Sequence, residues 1–143
     1  MISSQPSKIE LDFSVHQFEI MDRVIDGETM KSINYGLSLI PGEAGNPELP
    51  YLSKTLLIPN GSTATIVIKT DETETFSNMM LAPAAAIPFD KEVNQPATKG
   101  AQYEKNELFP LLPVQSKTFE LRGMQMLQIG VSPFQFNAAT GEM

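Results

Sequence analysis

The chain contains no cysteine and no tryptophan, a single histidine (His16), and only 10 Lys+Arg against 17 Asp+Glu. The absence of cysteine excludes disulfides, thiolate metal sites and a cysteine nucleophile, and it leaves the compartment open, because exported domains also lack cysteine. One histidine excludes a multi-histidine metal centre. A formal net charge of −7 works against a phosphate backbone or an anionic lipid surface, so nucleic acid and membrane are disfavoured as partners. The apolar run around Leu81 to Pro88 is broken by proline and falls far short of the ~20 residues that a membrane-spanning helix requires. Residues 1–8 hold no apolar signal core, and no period of repeat length is present.

At 143 residues the chain is one domain in size and can bury roughly two thirds of its unfolded surface around one core. Ile9, Leu11, Phe13 and Val15 fall on every second residue with Glu10, Asp12 and Ser14 between them, the pattern of a half-buried strand. Phe18 and Ile20 continue in the other phase, and Asp26-Gly27 marks a reversal. Ile33, Tyr35, Leu37 and Leu39 give a second alternation, ended by Pro41-Gly42. Leu56 to Ile58, the Asn60-Gly61 turn, and Thr63 to Lys69 read as the clearest hairpin. A short strand is expected around Met79 to Leu81. The stretch from Ala82 to Pro113 carries five prolines and no sustained period, so it reads as one long irregular loop, a feature that is usually functional or disordered. Phe119 and Leu121, the Arg122-Gly123 reversal, then Leu127, Ile129 and Val131 complete the pattern. Short strands with frequent turns and no helical stretch imply an all-β fold, an antiparallel β-sandwich of jelly-roll type.

No constellation for catalysis emerges. His16 lies among alternating residues with no nucleophile spaced to use it, which is the ordinary environment of a strand residue. Asp71, Glu72 and Glu74 lack the spacing and turn glycine of a calcium loop and read as a solvated strand end. There is no glycine-rich phosphate loop, and no cofactor is implied. The eight methionines serve either as core filler or as an adaptable surface. The residues by themselves describe an acidic, non-enzymatic binding module.

Gly45-Asn46-Pro47-Glu48-Leu49-Pro50-Tyr51-Leu52, leading into Leu56 to Gly61, resembles the Gly-x-Pro-x-Leu-Pro-x-Leu segment of gingipain-type cysteine peptidase prodomains. Further parts of that pattern recur in order: the opening stretch Ile9 to Phe18, Leu81-Ala82-Pro83, Tyr103 to Pro110, Leu121-Arg122-Gly123, and Ser132 to Asn137. The resemblance covers nearly the whole chain. It implies a prodomain that is not itself an enzyme, that keeps a secreted peptidase of the periplasm or cell surface latent, and that assists its folding. The partner it implies is the cognate cysteine peptidase catalytic domain, with the chain a monomer when alone.

In such families a loop crosses the catalytic cleft and a basic side chain enters the pocket there. The resemblance puts that role on the long loop. Ungapped spacing from Leu81-Ala82-Pro83 places Asp90 at the inhibitory position and Lys91 one place later, so Lys91 is the expected anchor, with Lys99 and Lys105 as further candidates; the competing reading of Lys91 is an ordinary exposed lysine. The family pattern also continues beyond Asn137-Ala138-Ala139-Thr140 into another strand and a processing segment, both expected to lie outside residues 1–143. The rival function is a stand-alone β-sandwich for adhesion or carbohydrate binding, against which the lack of tryptophan platforms counts.

Overall fold

The computed structural model describes residues 2–5, 8–36, 43–70, 72–85 and 97–143. Seven strands and one short 3₁₀ turn make up its regular structure: β1 (Ile2–Gln5), β2 (Lys8–Leu11), β3 (Glu19–Ile25), β4 (Glu28–Asn34), β5 (Leu52–Ile58), the 3₁₀ turn (Ala101–Glu104), β6 (Val114–Leu121) and β7 (Met124–Val131). All strand pairings are antiparallel: β1 with β2, β3 with β4, and a three-stranded sheet in the order β5-β7-β6. The all-β expectation holds.

Two hairpins form where their turn dipeptides foretell them. Asp26 and Gly27 adopt φ of 50° and 80°, and Arg122 and Gly123 adopt 51° and 77°. Positive φ at both central residues is the geometry whose twist matches that of paired strands, and a glycine at the second position adopts it without strain. Across the first hairpin Asp22 pairs with Lys31 at 2.5 Å and Asn34 donates to Glu19 at 3.2 Å, each with its cross-strand partner.

The clearest sequence signal fails. Residues 63–69 form no strand; β5 pairs instead with β7, residue for residue from Leu52↔Val131 to Ile58↔Gln125. The Asn60-Gly61 turn does form, but its polar groups turn toward the other hairpin. Asn60 donates from Nδ2 to the Gly123 carbonyl (3.0 Å) and accepts from the Gln125 N–H (3.0 Å), while the Gly61 N–H donates to Gln125 Oε1 (2.7 Å). Pairing with β7 buries Leu127 and Ile129, a gain that a local reversal onto exposed Thr63 to Lys69 would not bring. The opening alternation is also cut short: β2 ends at Leu11, and Ile9, Leu11 and Phe13 are exposed while only Val15 reaches the core. In the second alternation Ile33 lies in β4 and Tyr35 packs on the core; Leu37 and Leu39 fall outside the described residues.

The core is centred on Met79, Leu81, Phe134, Phe136 and Met143. Phe18 sits edge-on between Phe76 (5.6 Å between centroids) and Phe134 (5.0 Å), and Tyr35 meets Phe134 at 5.8 Å. Two-way backbone hydrogen bonds between Phe76 and Met143, and between Phe109 and Phe136, fold the last residues back over this cluster. In the three-stranded sheet the Tyr51 ring lies directly over Gly130, where an added Cβ would fall 1.5 Å from the phenol oxygen. Gly130→Ala therefore expels that ring and destabilises the fold by about 1–3 kcal/mol. In a double-mutant cycle with Tyr51→Ala, read by urea denaturation, the combined variant loses clearly less than the sum of the two.

Candidate functional site: the base of the long loop

Leu81, Ala82, Pro83 and Ala84 are all buried, an apolar strip in which every side chain is taken up by packing. A strip this dry must find partners for its backbone, because an unpaired buried N–H or C=O loses its hydration without compensation. On one side it runs parallel to β4: the Lys31 N–H donates to the Met80 carbonyl (2.7 Å) and the Ala82 N–H to the Lys31 carbonyl (2.8 Å). On the other it lies antiparallel to residues 45–48. Glu48 N–H donates to Ala82 O (2.9 Å), Ala84 N–H to Asn46 O (2.8 Å) and Gly45 N–H to Ala84 O (2.9 Å). Pro47, fully buried, supplies a rigid extended backbone opposite Pro83 and takes no donor from the ladder. The short strand expected near Met79 to Leu81 exists as this bridge.

The far end of the loop returns to the same place. The Gly100 N–H donates to the Gly45 carbonyl at 2.8 Å, so Gly45 ties the outgoing limb through its N–H and the returning limb through its C=O. The approach is close. A Cβ on Gly45 would lie 3.3 Å from Gly100 Cα and 3.4 Å from Thr98 O, and Gly45 has φ +88°; a Cβ on Gly100 would lie 3.0 Å from Gly45 O. A side chain at either position crowds the other's backbone, and at Gly45 the positive φ favours glycine as well. Ala84 and Gly100 thus meet at one glycine.

The returning limb is held again by the 3₁₀ turn. Tyr103 packs on Phe136 (6.3 Å between centroids) and its hydroxyl donates to the Leu81 carbonyl at 2.7 Å. Burial, with a smaller contribution from the Glu48 carboxylate, holds the Tyr103 phenol well above its ordinary value of 10.0. Lys99 lies 5.8 Å from the Tyr103 ring centroid and contacts both Glu28 carboxylate oxygens at 3.1 Å. Both partners are substantially exposed, so that ion pair contributes at most about 1 kcal/mol. Arg23 of β3 reaches Glu48 at 2.6 Å and braces the antiparallel segment from outside.

Of the sequence-expected site residues, Lys99 is the one placed at this clamp, its ammonium engaged by Glu28; Lys105 pairs with Glu107 at 3.4 Å on the surface. Asp90 and Lys91 lie outside the described residues. Glu28, Tyr103 and Gly100 were not singled out by sequence, since a hairpin glutamate, a loop tyrosine and a loop glycine carry no signal until the two limbs meet. Among the described residues no group of three His, Cys, Asp or Glu side chains is arranged to hold a metal ion, and no helix is long and apolar enough to cross a membrane. Tyr35, Tyr51 and Tyr103 are half-buried, their rings packed on Phe134, Gly130 and Phe136.

The sequence profile of the family described as Propeptide_C25 matches residues 1–143. The chain belongs to that propeptide family. No curated protein sequence matches it significantly. Among solved structures it is similar to the complex of Porphyromonas gingivalis RgpB pro- and mature domains, with TM-score 0.86 and 18% identity over 98% of this chain and 75% of that one. It is also similar to the structure addressing zymogenic latency of gingipain K from Porphyromonas gingivalis, with TM-score 0.71 and 21% identity over 91% of this chain and 76% of that one. At these identities the likeness establishes the shared fold.

Two outcomes follow for the clamp. Gly45→Ala, forced to carry a side chain at positive φ against Gly100, loses about 1–2 kcal/mol in urea denaturation, and hydrogen exchange at the Gly100 amide rises with it. Tyr103→Phe leaves the Leu81 carbonyl without its donor and loses about 1–2 kcal/mol at neutral pH. The raised phenol means that the folded state binds this proton more tightly than the unfolded chain. Stability from this group is therefore fully present below the unfolded tyrosine value of about 10 and declines as pH rises through and beyond it. Melts of wild type and Tyr103→Phe between pH 8 and 11 converge at the alkaline end.

Proposed function

We propose that the chain is the latency prodomain of a secreted gingipain-type cysteine peptidase, blocking the catalytic cleft with residues 86–96, assisting the enzyme's folding, and carrying no catalytic activity of its own. The observation that carries this reading is the clamp at Gly45. A stretch bracketed by Ala84 and Gly100, both hydrogen-bonded to Gly45, loses less conformational entropy on docking than a free tail does, and a preorganised inhibitor binds more tightly for that reason. Membership in a propeptide family and the likeness to prodomains in a complex and in a latent zymogen support it.

Within this reading Lys91 is the anchor and enters a pocket whose buried carboxylate pairs with its ammonium, since a desolvated charge is stable only when matched and hydrogen-bonded. Lys99 has a different part: its contacts with Glu28 and Tyr103 hold the returning limb in place. The test is inhibition of the cognate peptidase by the purified chain. Lys91→Ala weakens it more than ten-fold, because truncating a buried paired charge costs about 2–5 kcal/mol, whereas Lys99→Ala changes it by less than Lys91→Ala does. An unchanged inhibition constant for Lys91→Ala removes that residue as the anchor; no inhibition by the wild-type chain removes the latency function.

A further inference from the structure

The three-stranded sheet has two unlike faces. Residues on one strand that stand opposite each other share a face, and alternate residues along a strand return to it. The register therefore places Leu57 of β5, Met126 of β7 and Phe119 of β6 in one row, and Leu121 and Met124 in the next row toward the Arg122-Gly123 tip. The opposite face carries buried Leu127 and Ile129. Following the first face away from the tip, the next row is polar, Thr55, Gln128 and Lys117, and beyond it Tyr51 lies over Gly130. Apolar character is thus confined to the five side chains at the hairpin end.

Three of the five are exposed, Leu57 at 61%, Leu121 at 52% and Met124 at 45%, while Met126 and Phe119 are half-buried between them; none of the five belongs to the core cluster. The strand pairings among the described residues are all edge to edge within the sheets. Opposed side chains in such rows lie about 4.5–5.5 Å apart, so the two rows form one continuous surface rather than scattered exposed residues. Two of the five are methionines, whose flexible thioethers adapt to a partner's relief.

We infer that this face is a second docking surface for the peptidase's mature domain, separate from the loop that enters the cleft; the inference rests on the latency reading given above. The small size of the patch selects this occupant over a second copy of the chain. A stable interface between independent molecules buries about 800 Å² on each partner, and five partly covered side chains provide well under that. Two copies also each carry a formal charge of −7 and repel one another. A mature domain already held through the loop meets the patch at high effective concentration, so a modest apolar contact adds strongly to the total affinity.

Methionine oxidation reads the contact without altering the protein. Treated with dilute hydrogen peroxide, the full chain alone oxidises at Met124 and at Met21 of β3, which is equally exposed at 45%. In complex with the catalytic domain of the cognate peptidase, Met124 oxidation slows at least about five-fold while Met21 changes less than two-fold; equal Met124 rates in free and bound chain overturn the inference. Two variants check it independently. Leu121→Glu with Met124→Glu, and separately Leu57→Lys on the neighbouring strand, each weaken binding at least about thirty-fold, the fold-change of losing a hot-spot contact, with melting temperatures retained. Val67→Glu, outside the sheet, binds as wild type. If the wild-type chain neither binds nor inhibits the peptidase, the latency reading itself falls. Inhibition by wild type that both patch variants match overturns the second surface alone, as does a wild-type dimer in sedimentation that Leu121→Glu with Met124→Glu dissolves.

Discussion

The structure depends on pairing the backbone of one dry strip, Leu81 to Ala84. Its side chains are the most deeply buried run in the described chain, and burial at that depth removes water as a hydrogen-bond partner for the main chain. Neighbours on both flanks must therefore be extended, in register and close. That requirement draws β4 to one side and residues 45–48 to the other. The buried Pro47-Pro83 pair belongs to the same logic, since each proline brings rigidity and apolar surface without a donor that would need satisfying.

Tyr103 and Gly45 extend the constraint to the loop. The tyrosine hydroxyl serves the Leu81 carbonyl from the returning limb, and Gly45 serves both limbs through its own N–H and C=O. A loop mounted in this way has a fixed base whatever the conformation of its tip, because displacing either end breaks hydrogen bonds inside a packed environment. The exposed Lys99–Glu28 pair adds little energy by comparison; its geometric contribution is to orient the limb over the Tyr103 ring.

What was legible in the sequence was whatever local stereochemistry decides. Asp26-Gly27 and Arg122-Gly123 announce tight reversals because few residue pairs tolerate positive φ twice in succession, and the structure uses both. Asn60-Gly61 carries the same local signal, yet the strand expected after it is absent, because β5 takes β7 as its partner and the turn's polar groups go to Gln125 and Gly123. Alternation in Ile9, Leu11 and Phe13 specifies a face but not what covers it, and here little does. The candidate site was legible only in outline. The long irregular stretch and the Gly45-Asn46-Pro47 segment both stood out, but their union depends on a contact between Gly45 and Gly100, fifty-five positions apart, and spacing along a chain cannot encode which glycine meets which.

In the proposed reading, an inhibitor that occupies a protease cleft faces a conflict: the bound segment resembles a substrate, so it must be held against being cut and carried away. A fixed base addresses half of this, because both ends of a segment tied to one glycine stay close together even if the tip is broken, and religation or continued occupancy then competes with loss. An apolar face on the three-stranded sheet addresses the other half. It lies on a different element from the loop base, so its contacts survive changes at the tip, and the energy that keeps the domain in place need not come from the residues that the cleft can attack. The two surfaces divide the labour between blocking and holding, which allows the blocking segment to be short and the holding patch to be small.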